Sequence, residues 1–312
     1  MSFAKLSIVG ALAWVGLTVA MVSRFGEGAW VHALLLLAAL VLIPLGLPLL
    51  AERNNALAVV RWFEWVRLGQ LPAALLLALA CWIHPGVWAA TLTIPWLAIT
   101  ALLAAIGIVR ALRHGWSRPL GRLCGDLALG FLGIGGLWTL ADRAGIRPLG
   151  FDTGIVTLTA VHFHYAGFLL PMFVGFVQRR MPDSRSVARV AVGVVLGVPA
   201  LVVGITATQL GLGSMLEAAA GAGLALAGMV IGVLHVRRAL EADETPLARV
   251  LLGAAGVSLF FGMFLAGCYA IRAFAAPMPW LAIPQMRAMH GMVIAFGFGL
   301  CGVLGWRSAR PI

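Results

Sequence analysis

Charge is scarce in this chain. Only 11% of its residues are Asp, Glu, Lys or Arg, against about 25% in an average soluble domain. That deficit, with a 62% hydrophobic content, excludes an ordinary soluble globular protein and points to a membrane. Lysine is almost missing, since Lys5 is the single lysine among 22 basic residues. The formal charge of +11 therefore comes from arginines scattered over loops. No basic patch alternates with exposed aromatics, so nucleic acid is excluded as a partner. Cysteine is sparse too: Cys81, Cys124, Cys268 and Cys301 lie in separate apolar segments without a C-x-x-C. They read as small buried hydrophobes, not as a redox pair. The sequence also lacks E-x-x-H and H-x-x-x-H, so any metal site must be assembled from separate helices. One G-x-G-x-x-G occurs, at Gly297 to Gly302. It lies inside an apolar run with no strand before it, which removes the geometry a dinucleotide loop needs.

Apolar runs are what the chain has in abundance. Ten of them are long enough for a hydrocarbon core of roughly 30 Å: Leu6–Val22, Trp30–Leu50, Leu68–Ile83, Val87–Val109, Leu123–Leu140, Thr153–Val177, Val187–Leu210, Leu216–Val236, Ala248–Ala273 and Pro284–Trp306. The first follows Lys5 as a secretory signal would, but the run reaches about Val22 and no A-x-A site follows it before Arg24, so it reads as a span. The expectation is an all-α, polytopic membrane helix bundle, residues 1–312 forming a single transmembrane domain. Ala56–Leu68 reads either as a helix lying in the headgroup region or as the start of the third span. Gly193/Gly197 and Gly228/Gly232 predict close helix contacts in the seventh and eighth spans.

Arginine placement orients the bundle. Alternate loops hold Lys5; Arg53, Arg61, Arg67; Arg110, Arg113, Arg118, Arg122; Arg179, Arg180, Arg185, Arg189; Arg237, Arg238, Arg249; and Arg307, Arg310. The opposite side has only Arg24, Arg143, Arg147, Arg272 and Arg287. By the positive-inside rule both termini are cytoplasmic.

Against this apolar background the polar residues stand out. The sixth run carries Thr157, Thr159, His162, His164 and Tyr165, groups that lipid cannot satisfy. At about 100° per residue, His162 and His164 project nearly opposite ways. His162 shares a face with Thr159 and Tyr165, and His164 with Thr157. The sixth span is therefore expected at the centre of the bundle. A rise of about 1.5 Å per residue puts His162 roughly 14 Å below the outer face, near the midplane. His290 with Arg287, Tyr269 with Arg272, and Glu217 belong to the same outer half, while Asp152, His84, His32 and Glu27 rim it. Asp126 lies near the cytoplasmic end of the fifth run, with Arg122 as its expected partner.

Two segments resemble a known family. They are Val161-His162-Phe163-His164-Tyr165-Ala166-Gly167-Phe168, and His290-Gly291 followed by Gly297-Phe298 and Gly302-Val303-Leu304-Gly305-Trp306. Both are similar to signature segments of the YndJ-like integral membrane proteins of bacteria. The resemblance implies a polytopic bundle and assigns no catalytic residue.

The residues support a membrane protein with a histidine- and tyrosine-lined site in the outer half of the bundle. It would bind a transition metal or haem, or catalyse a reaction on a membrane-accessible substrate. His162, His290, Tyr165 and Tyr269 are the candidate catalytic groups. His162, His164 and His290 are candidate cofactor ligands, with His162 and His290 the metal ligands. Arg272, Arg287, Glu217 and Thr159 are the candidate substrate-binding residues. One alternative is a small-molecule or proton-coupled transporter built on His162; another is a structural or assembly protein. Whether the chain is an enzyme stays open. Expected partners are the lipid bilayer and a small molecule reaching the outer half, and the expected location is the bacterial plasma (inner) membrane.

Overall fold

The computed structural model describes residues 2–51, 57–115 and 119–310, without the side chains of residues 27, 28 and 114. The side chain of Glu27, and Arg53 and Arg118 of the loop arginines, thus lie outside the described residues. Among the described residues there is no strand, and ten helices are long and apolar enough to cross a membrane. These are α1 (Phe3–Phe25), α2 (Trp30–Leu50), α3 (Leu57–Trp82), α4 (Val87–Arg113), α5 (Leu120–Ala144), α6 (Thr153–Arg180), α7 (Arg185–Gln209), α8 (Met215–Ala239), α9 (Pro246–Ala270) and α10 (Ile283–Ser308). Each matches one apolar run, in order.

Local chemistry starts several of these helices. The Asp152 side chain accepts from the Gly154 N–H at 2.8 Å and so caps α6. Ser184 caps α7 through the Val187 N–H. Thr245 caps α9 through the Ala248 N–H, with Pro246 in the first turn. The start of the third span is a continuous part of α3, not a separate surface helix. Arg67 reaches back to Glu64 with bonds of 2.8 and 2.6 Å, an i,i+3 pair of the kind a helix favours.

Three spans are not regular. The backbone widens to π-helix at Ala38–Leu42 in α2, Phe163–Leu169 in α6, and Met286–His290 and Val293–Leu300 in α10. A π-turn bonds i to i+5 and takes one more residue than an α-turn, so side-chain faces drift across it. Such turns are frequent at functional sites.

The chain divides into two compact units, residues 1–118 with 125–169, and residues 119–124 with 170–312. In the first unit α1 crosses α2 at Gly10, where a Cβ would overlap the Leu40 carbonyl. Between α4 and α5, Gly107 and Gly136 leave room for the Asp126 carbonyl and the Thr100 hydroxyl. Arg110 of α4 closes this contact, its Nε 2.9 Å from Asp126 Oδ1 and its Nη1 2.9 Å from the Leu50 carbonyl. The predicted partner of Asp126 was Arg122 on the same helix. The neighbouring helix supplies Arg110 instead, because a carboxylate buried between helices is matched by a cation buried there with it.

In the second unit α8 and α9 touch backbone to backbone. A Cβ on Gly232 would stand 2.7 Å from the Gly256 carbonyl, and one on Gly228 would meet Met263 at 2.6 Å. Gly193 and Gly197 of α7 face Ala227 and Leu224 of α8. Both glycine pairs are therefore packing sites, as their spacing predicted. At the arginine-rich end, buried Glu244 grips Arg238 and accepts from the Arg310 N–H at 3.2 Å.

Candidate functional site

A buried polar group lies in the first unit, at the ends of α2, α5 and α6 that the arginine pattern places outside. Asp142 is its hub. Oδ2 accepts from Arg143 Nε at 2.7 Å and from His32 Nε2 at 3.2 Å, and Oδ1 accepts from the Thr157 hydroxyl at 2.5 Å. Arg143 also donates to the Ala80 carbonyl of α3. Asp142, Arg143 and Thr157 are buried, whereas the His32 side chain keeps 19% of its surface exposed. A carboxylate can only accept, so the proton in the His32–Asp142 bond sits on Nε2. The lone pair of a neutral His32 is thereby fixed on Nδ1, for which no hydrogen-bond partner occurs among the described residues. An imidazole oriented by a carboxylate, with its second nitrogen open, is the arrangement of a general base.

The histidines of α6 part company. His164 is fully buried. Trp96 Nε1 donates to its Nε2 at 3.2 Å, which requires that Nδ1 carry the proton given to the Ala160 carbonyl at 2.7 Å. Both ring nitrogens are engaged, and a cofactor bound by His164 would have to displace Trp96. Gly135 makes room for this ring, since a Cβ there would lie 3.0 Å from Cε1 and Nδ1. His162 is exposed, with Nδ1 bonded to the Leu158 carbonyl at 2.7 Å. Of the predicted common face of Thr159, His162 and Tyr165, Thr159 and His162 stay together in a regular helical turn and Tyr165 is turned away. Tyr165 is buried with its hydroxyl on the Leu34 carbonyl of α2, and Thr159 bonds the Ile155 carbonyl of its own helix. The cause is the π segment that begins at Phe163 and rotates the residues after it. Thr157 likewise turns to Asp142 and not to a shared site with His164.

The second unit contains the remaining candidates. His290 is half-buried and bonds the Gly262 carbonyl of α9 through Nδ1 at 2.8 Å. Arg287 is half-buried in the same π-turn. Glu217 and Arg272 form an ion pair of 2.9 Å, and the Arg272 guanidinium stacks 4.0 Å above the Tyr269 ring. Tyr269 and Arg272 line an open cleft of about 600 Å³ at the α9–α10 connection. Among the described residues no group of three His, Cys, Asp or Glu side chains could hold a metal ion.

Two features carry no sequence signal. Asp142 falls two residues past the fifth apolar run, outside the stretch that hydropathy marks. His235 is a lone histidine within the eighth run, yet it repeats the His164 pattern: Nδ1 on the Ile231 carbonyl at 2.9 Å, Nε2 accepting from Trp306 Nε1 at 3.0 Å.

The profile of the family described as YndJ-like protein matches residues 33–298, which include most of α2, all of α3 to α9 and most of α10; His32 lies just before the matched stretch. The chain belongs to the YndJ-like family. It is 31% identical over 186 residues to the uncharacterized membrane protein YndJ of Bacillus subtilis (strain 168). That stretch covers 58% of this chain and 32%, about a third, of the relative's own length. No solved structure matches. Membership in the family and ten apolar helices together make this a multi-pass integral membrane protein.

Proposed function

We propose that this YndJ-like protein receives a small molecule at the outer half of its bundle and exchanges a proton with it through His32. Asp142 holds the imidazole, and Arg143 and Thr157 hold the carboxylate. The observation that carries this reading is the open Nδ1 of a partly exposed histidine whose other nitrogen is fixed by a buried carboxylate. It keeps the histidine site in the outer half expected from sequence and moves its centre from His162 to His32. His162, His290, Tyr165, Tyr269 and Thr159 then contribute polarity around the bundle. The metal or haem reading draws less support, because His164 is saturated and no three-ligand group occurs among the described residues. Transport is the second reading. It is favoured by the π segments of α2 and α6 in the first unit, where irregular spans supply the give that alternating access needs. The plasma membrane and the bilayer as partner belong to both readings.

The test is carbethoxylation with diethyl pyrocarbonate, added outside oriented vesicles and read residue by residue by mass spectrometry. His32 should react while buried His164 and His235 do not, and Asp142→Asn should slow His32 several-fold. An unreactive His32, or a rate indifferent to Asp142→Asn, overturns the reading.

A further inference from the structure

The cleft at the α9–α10 connection has a composition that the His32 group does not explain. The polar part of its lining is one guanidinium, that of Arg272, and one phenol, Tyr269. Its walls are apolar, with Met278, Leu281, Ile283 and Pro284 among them. Arg272 is held in place from three sides. Nη1 donates to the Tyr269 carbonyl at 2.9 Å, Nη2 donates to Glu217 at 2.9 Å, and the ring of Tyr269 backs the guanidinium. Glu217 is itself fixed by α7, where Gly204 allows its backbone to come so close that a Cβ would lie 2.7 Å from the Glu217 Cα. Arginine carries five N–H donors, and the side chain is 41% exposed. Two donors are spent on these bonds, which leaves three on a fixed side chain that lines the cleft.

An ion pair at a helix end would account for Arg272 and Glu217 alone. It does not account for an apolar trough beside them, nor for the exposed aromatic side chains of the same connection. Phe274 and Trp280, at 56% and 52% exposure, stand out from the same connection. The ends of membrane spans lie at headgroup depth, where tryptophan is characteristically found. A fixed cation, an apolar trough and interfacial aromatics, all at that depth, match a molecule with an anionic head and a hydrocarbon body.

We propose that this cleft binds an anionic phospholipid, its phosphate on Arg272 and its first acyl carbons along Met278, Leu281 and Ile283. A fork of planar N–H donors suits a phosphate better than a lysine would. The site lies wholly within the second unit and stands or falls independently of His32.

The test uses the full chain in vesicles doped with brominated lipids, which quench tryptophan on contact. Subtracting the signal of Trp280→Phe isolates Trp280 from the other tryptophans. Brominated phosphatidylglycerol should be preferred over brominated phosphatidylcholine by roughly tenfold, the size of one charge-assisted hydrogen bond. Arg272→Gln should bring that ratio close to one. Glu217→Gln, which removes the competing negative charge but keeps an amide oxygen to accept from Arg272, should raise it, and serves as the second variant if Arg272→Gln does not fold. Equal quenching by the two lipids in the unmodified chain overturns the proposal. So does a preference that survives Arg272→Gln or that Glu217→Gln leaves unchanged. Displacement of the brominated lipid by glycerol phosphate as effectively as by intact phosphatidylglycerol would assign the site to a free anion and overturn the lipid.

Discussion

His164 and His235 show how an imidazole can be a structural part of a membrane bundle. Each gives its Nδ1 proton to the carbonyl four residues back and takes an indole N–H at Nε2. Nothing is left over for a ligand. Trp96→Phe should therefore leave a buried lone pair unsatisfied, at a cost of about 1–3 kcal/mol. Trp306→Phe should do the same in the second unit. Both losses would appear as a lower thermal midpoint in detergent, and an unchanged midpoint would mean that water replaces the indole. His32 differs at this scale by a single property, an open nitrogen on the far side of its carboxylate partner, and it is there that carbethoxylation should discriminate. Sequence alone points to His162 for its polar neighbours; Thr159 shares its regular turn, and Tyr165 lies in the wider one that follows.

At the scale of elements, hydropathy made the ten spans legible because each buries apolar surface over a full bilayer thickness. Glycine spacing likewise revealed which helices approach closely. What stayed illegible depended on the partner helix. Asp126 could not be assigned Arg110 from its own span, nor could Asp142 be joined to His32, more than a hundred positions away. The π segments were hidden too, since no residue pattern in Phe163–Leu169 or Val293–Leu300 announces the wider turn. A back-bonded histidine does not by itself widen a helix, for His235 makes the same bond inside a regular α8. The glycine contacts give the sharpest prediction at this scale. A Cβ on Gly256 would meet the Gly232 carbonyl at 2.5 Å and Val236 at 2.8 Å. Gly256→Val should separate α8 from α9 and abolish recovery of monodisperse protein, whereas Gly223→Val, with open space around its Cβ position, should not. Size-exclusion chromatography of the two variants decides it.

The whole molecule is oriented by its arginines. Their bias towards one set of loops predicts that Asp183 faces the cytoplasm and Leu212 the outside. Both are exposed, so single cysteines introduced there, with the native four replaced, can be tested with an impermeant maleimide on intact cells. Leu212→Cys should label directly and Asp183→Cys only after permeabilisation; the reverse pattern would invert the bundle and place His32 on the cytoplasmic side.

The bare contact between Gly232 and Gly256 also limits how the second unit can move. Two helices joined carbonyl against Cα have no side-chain cushion at that crossing, so any sliding of α8 over α9 would have to break it first. The wide turns of α10 are where the backbone of that unit departs from regular helix instead.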